Sequence, residues 1–168
     1  MQYLLIAVLF TVSLSVQGSV LALARPGGVH PDFLLLLVVA LALLSDARRG
    51  AVLGLAAGLL QDVLFSAPLG FFGFGKMMAG ALAGMLAREI YKDFLPAPVL
   101  IVTVLTLVSE IVTFLLMRLY FPVAISLWSY LGDVSLPRMA MHFMFMIILY
   151  PFLYRQTCAL PIFAENES

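Results

Sequence analysis

The stretch GLAAGLLQDVLFSAPLGFFGFGKMMAGALAG, residues 54–84, decides how this chain can fold. It reads as two apolar, glycine-rich helices joined by a turn at Pro68, yet it contains Gln61, Asp62 and Lys76. A charged side chain at the centre of a bilayer costs about 2.5–3.5 kcal/mol on insertion scales. Charges in this setting should therefore face each other or a water-filled recess, inside a bundle of helices.

The composition of the whole chain predicts an integral membrane protein. Hydrophobic residues make up 64% and charged residues 11%, whereas soluble domains contain about 45–50% and about 25%. The formal net charge is +0, so no basic surface suggests a nucleic-acid partner. The chain has one cysteine, Cys158, which excludes an internal disulfide.

Six apolar runs predict an all-α fold, a single domain over 1–168 built as a bundle of six transmembrane helices. The predicted spans are 3–24, 32–45, 50–65, 68–87, 95–117 and 138–154. The uncharged core of the second span, 33–44, is only about 18 Å long, against about 30 Å of hydrocarbon. The second and third spans therefore either recruit flanking residues and thin the bilayer, or form a buried hairpin shielded by longer helices.

The distribution of Lys and Arg predicts that both termini are cytoplasmic. With six spans both termini share one side, and five basic residues fall there against three on the other side. The first group is Arg48, Arg49, Arg88, Lys92 and Arg155, and the second is Arg25, Arg118 and Arg138. The aromatic connector 118–137, which contains Trp128, then faces outward, and we expect it to be an interfacial or re-entrant segment.

Two glycine series predict a close helix–helix contact. Residues at steps of four lie on one broad face of a helix, because each step advances about 40° around the axis. The third span has Gly50, Gly54 and Gly58, followed by Asp62 at the same spacing. The fourth span has Lys76, Gly80, Gly84 and Arg88 at the same spacing. Small residues let backbones approach, so these glycine faces should contact each other or a partner helix.

Five polar residues on five predicted spans fall in the outer half of the membrane, counted at about 1.5 Å per residue. They are Gln17, Asp62, Lys76, Glu110 and His142. We predict one buried cluster of Asp62, Lys76 and Glu110, with Asp62 as the partner of Lys76 and with Gln17 or His142 nearby. Such an outward-opening centre could bind a small ligand, or it could be an ion-pair lock that fixes helix register.

Catalytic and metal-binding patterns are missing from the sequence. No His-x-x-x-His, cysteine cluster, P-loop or Gly-x-Ser-x-Gly occurs. Asp62 and Glu110 could be imagined as an acid–base pair, but Lys76 at a similar depth makes ion pairing the simpler use. We therefore predict a protein that is not an enzyme, with no catalytic residue, no cofactor and no metal.

The segment PDFLLLLVVALALLSDARRGAVLGLAAGLLQDVLFSAPLGFFGFGKMMAGALAG, residues 31–84, resembles the core of the bacterial rod-shape-determining MreD family. The resemblance covers about 31–88, and the rest of the chain agrees in length and number of spans. Lys76 is not part of the family pattern. The matching residues are Pro31, Asp32, Arg49, Gly50, Asp62 and Gly70.

The resemblance implies a scaffold or regulatory subunit of the cell-wall elongation complex, the elongasome, in the bacterial inner membrane. Such a subunit supports peptidoglycan synthesis and helps to maintain rod shape. The implied partners are an MreC-like single-span protein, RodA with a class B penicillin-binding protein, and MreB on the cytoplasmic side.

The resemblance also implies a fold similar to the S-components of energy-coupling-factor vitamin transporters. A substrate-binding S-component is therefore the alternative function. Ala79, Ala83 and Ala87 form a small-residue face of the kind by which S-components dock a transport subunit.

Overall fold

The structure, a computed structural model, describes residues 2–23, 28–65, 67–89, 96–122 and 124–159. Within these ranges every regular element is helical, which confirms the predicted all-α fold. Arg25 and Lys92, which entered the charge count, lie outside the described residues. The helices are α1 (Gln2–Leu23), α2 (Phe33–Leu43), α3 (Ala47–Leu64), α4 (Phe71–Leu86), α5 (Pro96–Tyr120), α6 (Leu127–Tyr130) and α7 (Leu136–Ala159), with a π-helical turn at Leu131–Ser135.

Most of the segment 118–137 is helical, and its predicted position at the membrane interface stays a prediction. Helix α5 continues to Tyr120 and α6 begins at Leu127, so only about half a dozen residues separate them. Helix α6 starts there because the Ser126 hydroxyl accepts a hydrogen bond from the Ser129 N–H at 3.2 Å. The π-helical turn comes just before Pro137, where the missing N–H and the proline ring would disturb regular α-helical bonding. The chain therefore stays helical through a proline that the sequence suggests as a break.

Two helical segments in the described part of the chain are long and apolar enough to cross a membrane, judged by length and composition alone. They are Pro96–Tyr120 and the continuous stretch Leu127–Arg155. Two apolar helices, Phe33–Leu43 and Phe71–Leu86, are shorter, and α1 contains the apolar stretch Ile6–Ser19. The count of six membrane spans therefore stays a prediction.

The starts of α2, α4 and α7 lie near the ends of α3 and α5, which defines one end of the bundle. At this end, here called the polar end, Arg138 bonds the His30 carbonyl oxygen at 2.9 Å. The Phe71 and Phe121 rings also meet there, 6.3 Å apart. At the opposite end, Gly84 of α4 packs on the backbone of Asp46, just before α3.

Helix α2 is the centre of the core. Each residue from Leu34 to Leu43 is 3% exposed or less, and α1, α3, α4, α5 and α7 all contact this helix. An 11-residue helix is only about 16 Å long. Of the predicted buried hairpin, α2 is therefore shielded by the other helices. Its hairpin partner α3 is not, because Val52 is 61% and Val63 65% exposed.

The two predicted glycine faces lie against each other, backbone to backbone. A Cβ atom added to Gly50 would meet the carbonyl oxygen of Gly80, and one added to Gly54 would meet the Lys76 carbonyl. A Cβ atom on Gly58 would meet the Cα of Gly73. The α3–α4 contact is thus made by glycines that leave no room for any side chain.

The small-residue face of α4 that favoured a transporter subunit is also used inside the chain. Ala79 and Ala83 are 0% exposed and Ala87 is 3% exposed. Because other helices of the same chain cover this face, it offers no docking surface for a transport subunit.

Candidate functional site

Asp62 is held by the backbone of the next helix, α4. Its Oδ2 accepts hydrogen bonds from the N–H groups of Gly70 at 2.8 Å and Gly73 at 3.3 Å, and its Oδ1 accepts from Phe72 N–H at 2.7 Å. Gly70 is the N-terminal cap residue of α4, has φ +90° and provides no side-chain cap. Asp62 supplies that cap from α3, and the positive end of the α4 dipole stabilises its buried charge.

Lys76 forms an ion pair with Asp32, at the start of α2. The lysine is 2% exposed, and its ammonium also lies 5.3 Å from the centre of the Phe72 ring. Asp32 in turn caps α2, accepting from the Leu35 N–H at 2.9 Å. The predicted pairing of Lys76 with Asp62 is therefore wrong. Both oxygens of Asp62 are already occupied by α4 N–H groups, whereas Asp32 still has an oxygen available for the ammonium.

Glu110 on α5 has partners from the last helical stretch. One carboxylate oxygen pairs with Arg138, and the other accepts a hydrogen bond from the Tyr130 hydroxyl at 2.7 Å. The same guanidinium donates through Nε to the His30 carbonyl oxygen at 2.9 Å. Glu110 therefore forms a second ion pair, separate from the pair of Lys76 with Asp32, and the predicted contact of Glu110 with Lys76 is wrong. The sequence reasoning missed Arg138 and Tyr130, since it placed the first at a span end and the second in a loop.

His142 joins α7 to α2 and α5. Its Nε2 accepts a hydrogen bond from the Asp32 backbone N–H at 2.8 Å, so the proton of a neutral ring sits on Nδ1. The Nδ1–H then donates to the Thr106 hydroxyl at 2.8 Å, and that hydroxyl donates to the Val102 carbonyl at 2.7 Å. This tautomer follows from the hydrogen-bond network.

These contacts form what we call the polar network, made of Asp32, Lys76, Thr106, Glu110, Arg138 and His142. It joins α2, α4, α5 and α7 at the polar end. Its two cations balance its two carboxylates. The five predicted residues are thus divided: Lys76 and His142 meet at Asp32, Glu110 pairs with Arg138, Asp62 caps α4, and Gln17 lies apart.

A cavity of about 510 Å³ opens beside the polar network, and Gln17 lines it together with Gln61, Asp32 and Arg138. Gln17 is 9% and Gln61 3% exposed, and neither amide oxygen has a hydrogen-bond partner. An unpaired buried acceptor costs about 1–3 kcal/mol. The predicted polar centre thus contains an open space, although most of the residues around it differ from those predicted.

The charged side chains at the polar end are held in place by ion pairs and hydrogen bonds. Within the described residues, no group of three or more His, Cys, Asp and Glu side chains could hold a metal ion. Asp62 and Glu110, the pair considered for acid–base work, are bound to the α4 backbone and to Arg138 respectively. The arrangement can hold four helices in register and present a polar cavity at one end.

A helical bundle with a fixed polar network and large apolar surfaces is typical of a membrane protein. The sequence model of the rod shape-determining protein MreD family matches residues 1–157, and the chain belongs to that family. The family is membrane-associated and has a role in determining rod shape. No curated protein and no solved structure matches the chain, so the likeness to S-components stays a prediction.

The residues that carried the resemblance have separate positions in the fold. Asp62 and Gly70 form one unit, because the carboxylate bonds the glycine N–H at the start of α4. Asp32 links α2 to Lys76, and Gly50 packs on the α4 backbone. Arg49 lies at the surface, 3.3 Å from Asp46.

Proposed function

We propose that this chain is a non-catalytic scaffold subunit of the cell-wall elongation complex in the bacterial cytoplasmic membrane. One observation carries the proposal beyond family membership: the buried charged groups at the polar end are bound to each other or to backbone N–H groups of the same chain. These contacts fix the positions of the helices relative to one another. A rigid body of this kind is suited to orienting other membrane proteins.

The proposed partners are an MreC-like single-span protein, RodA with its class B penicillin-binding protein, and MreB on the cytoplasmic side. Exposed apolar side chains give such partners, or lipid, a surface to cover. On α7, Met144, Ile148 and Phe152 are 69%, 74% and 58% exposed and follow each other at steps of four. On α1, Val8, Val12 and Val16 repeat the same spacing, with exposures of 51%, 54% and 45%.

Photo-crosslinking in native membranes tests the scaffold proposal. A crosslinking residue would be placed at Val12, Val104 or Ile148, which lie on exposed faces of α1, α5 and α7, and at the fully buried Val39 as the matched control. At least one exposed position should capture a single-span, MreC-like chain, and Val39 should capture nothing. Depletion of the protein should round a rod-shaped cell. Normal rod shape on depletion, together with no membrane-protein adduct, would contradict the proposal.

We also propose that both termini face the cytoplasm. Arg48→Cys and Ala124→Cys, in a chain whose Cys158 is changed to serine, probe the first turn of α3 and the connector after α5. A membrane-impermeant thiol reagent applied outside should label position 124 and leave position 48 unlabelled until the membrane is opened. Labelling of both positions from one side would contradict this orientation.

The S-component alternative has lost one of the features that favoured it, because the Ala79–Ala83 face is buried within the chain. It makes a separate prediction, which is tight binding of a vitamin by the purified protein. Isothermal titration with a vitamin panel distinguishes the two functions, since the scaffold proposal expects no such binding.

A further inference from the structure

We propose that the cavity at the polar end binds the uncharged sugar headgroup of a lipid, whose acyl chain lies in the adjoining groove between α1 and α3. The proposal rests on two unpaired glutamine amides, on the charge state of the cavity lining, on its aromatic walls and on that groove. It does not depend on which proteins the scaffold binds.

The two glutamine amide oxygens in the cavity lining that lack a partner favour a ligand that donates hydrogen bonds. Gln17 on α1 and Gln61 on α3 both line the cavity, are more than nine-tenths buried, and have amide oxygens without a partner. The last torsion of a glutamine side chain is soft, so a small rotation turns either amide toward a bound group. Hydroxyl groups are suitable ligands, because each can donate to an amide oxygen and accept from an amide N–H.

The charged groups in the cavity lining are already paired, which favours an uncharged ligand. Asp32 pairs with Lys76, and Arg138 pairs with Glu110. An anionic ligand would compete with Glu110, and a cationic ligand would compete with Lys76. Breaking either pair would leave a buried charge uncompensated, and that cost opposes binding.

The remaining walls are largely aromatic. Phe65, Phe71, Phe72 and Phe121 line the same cavity. Ligand sites commonly combine apolar walls with a few well-placed polar groups. A sugar ring matches this lining, since its C–H face can lie on phenyl rings while its hydroxyl edge reaches the two amides.

A second cavity borders the first at Phe65 and is suited to an acyl chain. It has about 500 Å³, lies between α1 and α3, and shares Phe65 with the polar cavity. Leu14, Leu60 and Leu64 form much of its wall. The hydroxyl groups of Thr11 and Ser15 also line this cavity, but each already donates a hydrogen bond to a carbonyl oxygen of α1, at 2.8 and 2.9 Å. A lipid whose headgroup meets Gln17 and Gln61 would place its chain in this groove.

The experiment compares three probes on the full chain in phosphatidylcholine nanodiscs. The discs contain monoglucosyl-diacylglycerol, or diacylglycerol without the sugar, or no added lipid but methyl glucoside in solution. At a hundred-fold excess over Kd, the glucosyl lipid should raise the thermal unfolding midpoint by about 5–10 °C. Diacylglycerol and methyl glucoside should each produce a much smaller rise.

Variants separate the two parts of the site. Gln17→Leu with Gln61→Leu should abolish the effect of the glucosyl lipid, and Leu60→Trp, which fills the groove, should abolish the advantage of the lipid over the free sugar. Ser135→Ala is the matched control, because the Ser135 hydroxyl is also buried and unpaired but does not line either cavity. Native mass spectrometry of the glutamine variants checks retained lipid even if their unfolding midpoint changes.

The outcomes are distinct. An equal rise with diacylglycerol, or a rise that survives loss of both glutamines, would overturn the sugar assignment. An equal rise with methyl glucoside would overturn the lipid part. No rise with any probe means that water alone fills the cavity, and the proposal fails.

Discussion

The α3–α4 interface and the polar network hold the same bundle together by opposite means. Between α3 and α4 the backbones touch, because Gly50, Gly54 and Gly58 have no side chain to separate them. In the polar network, long side chains such as those of Lys76 and Arg138 reach across from one helix to another. The first contact leaves no space, whereas the second stands beside a cavity of about 510 Å³.

Asp62, which is buried, and Asp32, whose side chain is 15% exposed, show the same contrast within one residue type. Asp62 is 0% exposed and is bound by three N–H groups of one helix end. Asp32 is bound by a lysine as well as by its own helix. A buried carboxylate needs donors around it, and either a helix N-terminus or a cation can provide them. The partner therefore follows from which donors lie nearby, not from the presence of an opposite charge in the sequence.

The largest loss of stability is expected when a side chain is added to the glycine interface between α3 and α4. Gly58→Leu should lower the free energy of unfolding by about 4 kcal/mol or more, because its Cβ alone meets the Gly73 backbone. Gly132→Leu is the control, since no atom lies within 4 Å of a Cβ there. Unfolding in detergent measures both. Equal stability of the two variants would show that the helices are not in backbone contact.

Removal of the cation from the polar network should have the next largest effect. Lys76→Met should cost about 3–5 kcal/mol, because it leaves the Asp32 carboxylate uncompensated. Adding Asp32→Asn should restore part of this stability, whereas adding Asp62→Asn should restore none. Unfolding of the three variants in one detergent gives the comparison. Rescue by Asp62→Asn alone would mean that Lys76 is paired differently.

Loss of the helix cap on α4 should cost less. Asp62→Ala leaves the N–H groups of Gly70, Phe72 and Gly73 without a partner, and we expect a loss of about 2–3 kcal/mol. Asp46→Ala is the matched control, since Asp46 caps α3 at an exposed position and should cost only about 1 kcal/mol. Hydrogen exchange in the first turn of α4 should rise in the first variant only. Unchanged exchange there would count against the capping contact.

The smallest effect is expected from a single hydrogen bond in the second ion pair. Tyr130→Phe removes the 2.7 Å bond to Glu110 but leaves the contact with Arg138, so the loss should be about 1.5 kcal/mol. Tyr120→Phe, at a tyrosine that is 51% exposed, should change stability by less than about 0.5 kcal/mol. Thermal unfolding compares the two variants. Equal stability of Tyr130→Phe and the unchanged protein would show that the Tyr130–Glu110 bond contributes nothing.

Several features could be predicted from the sequence because they depend on local spacing or on composition. The apolar runs predict helices wherever the structure describes them. The four-residue repeats of Gly50–Gly58 and Gly80–Gly84 predict a close contact, because spacing alone defines a face of a helix. The block that contains Asp62 and Gly70 indicates the family, and the family match confirms it.

The pairing of the charged side chains depends on how the helices pack against one another. The spacing of residues gives depth and face along one helix, but not the rotation of that helix against its neighbours. Lys76 pairs with Asp32, 44 residues away in the chain, and Glu110 pairs with Arg138, 28 residues away. The nearer charge, Asp62, was unavailable because the turn at Gly70 aims the start of α4 at its carboxylate. The partners of a buried charge depend on which donors the packed helices bring within hydrogen-bond distance, and that is a property of the whole bundle.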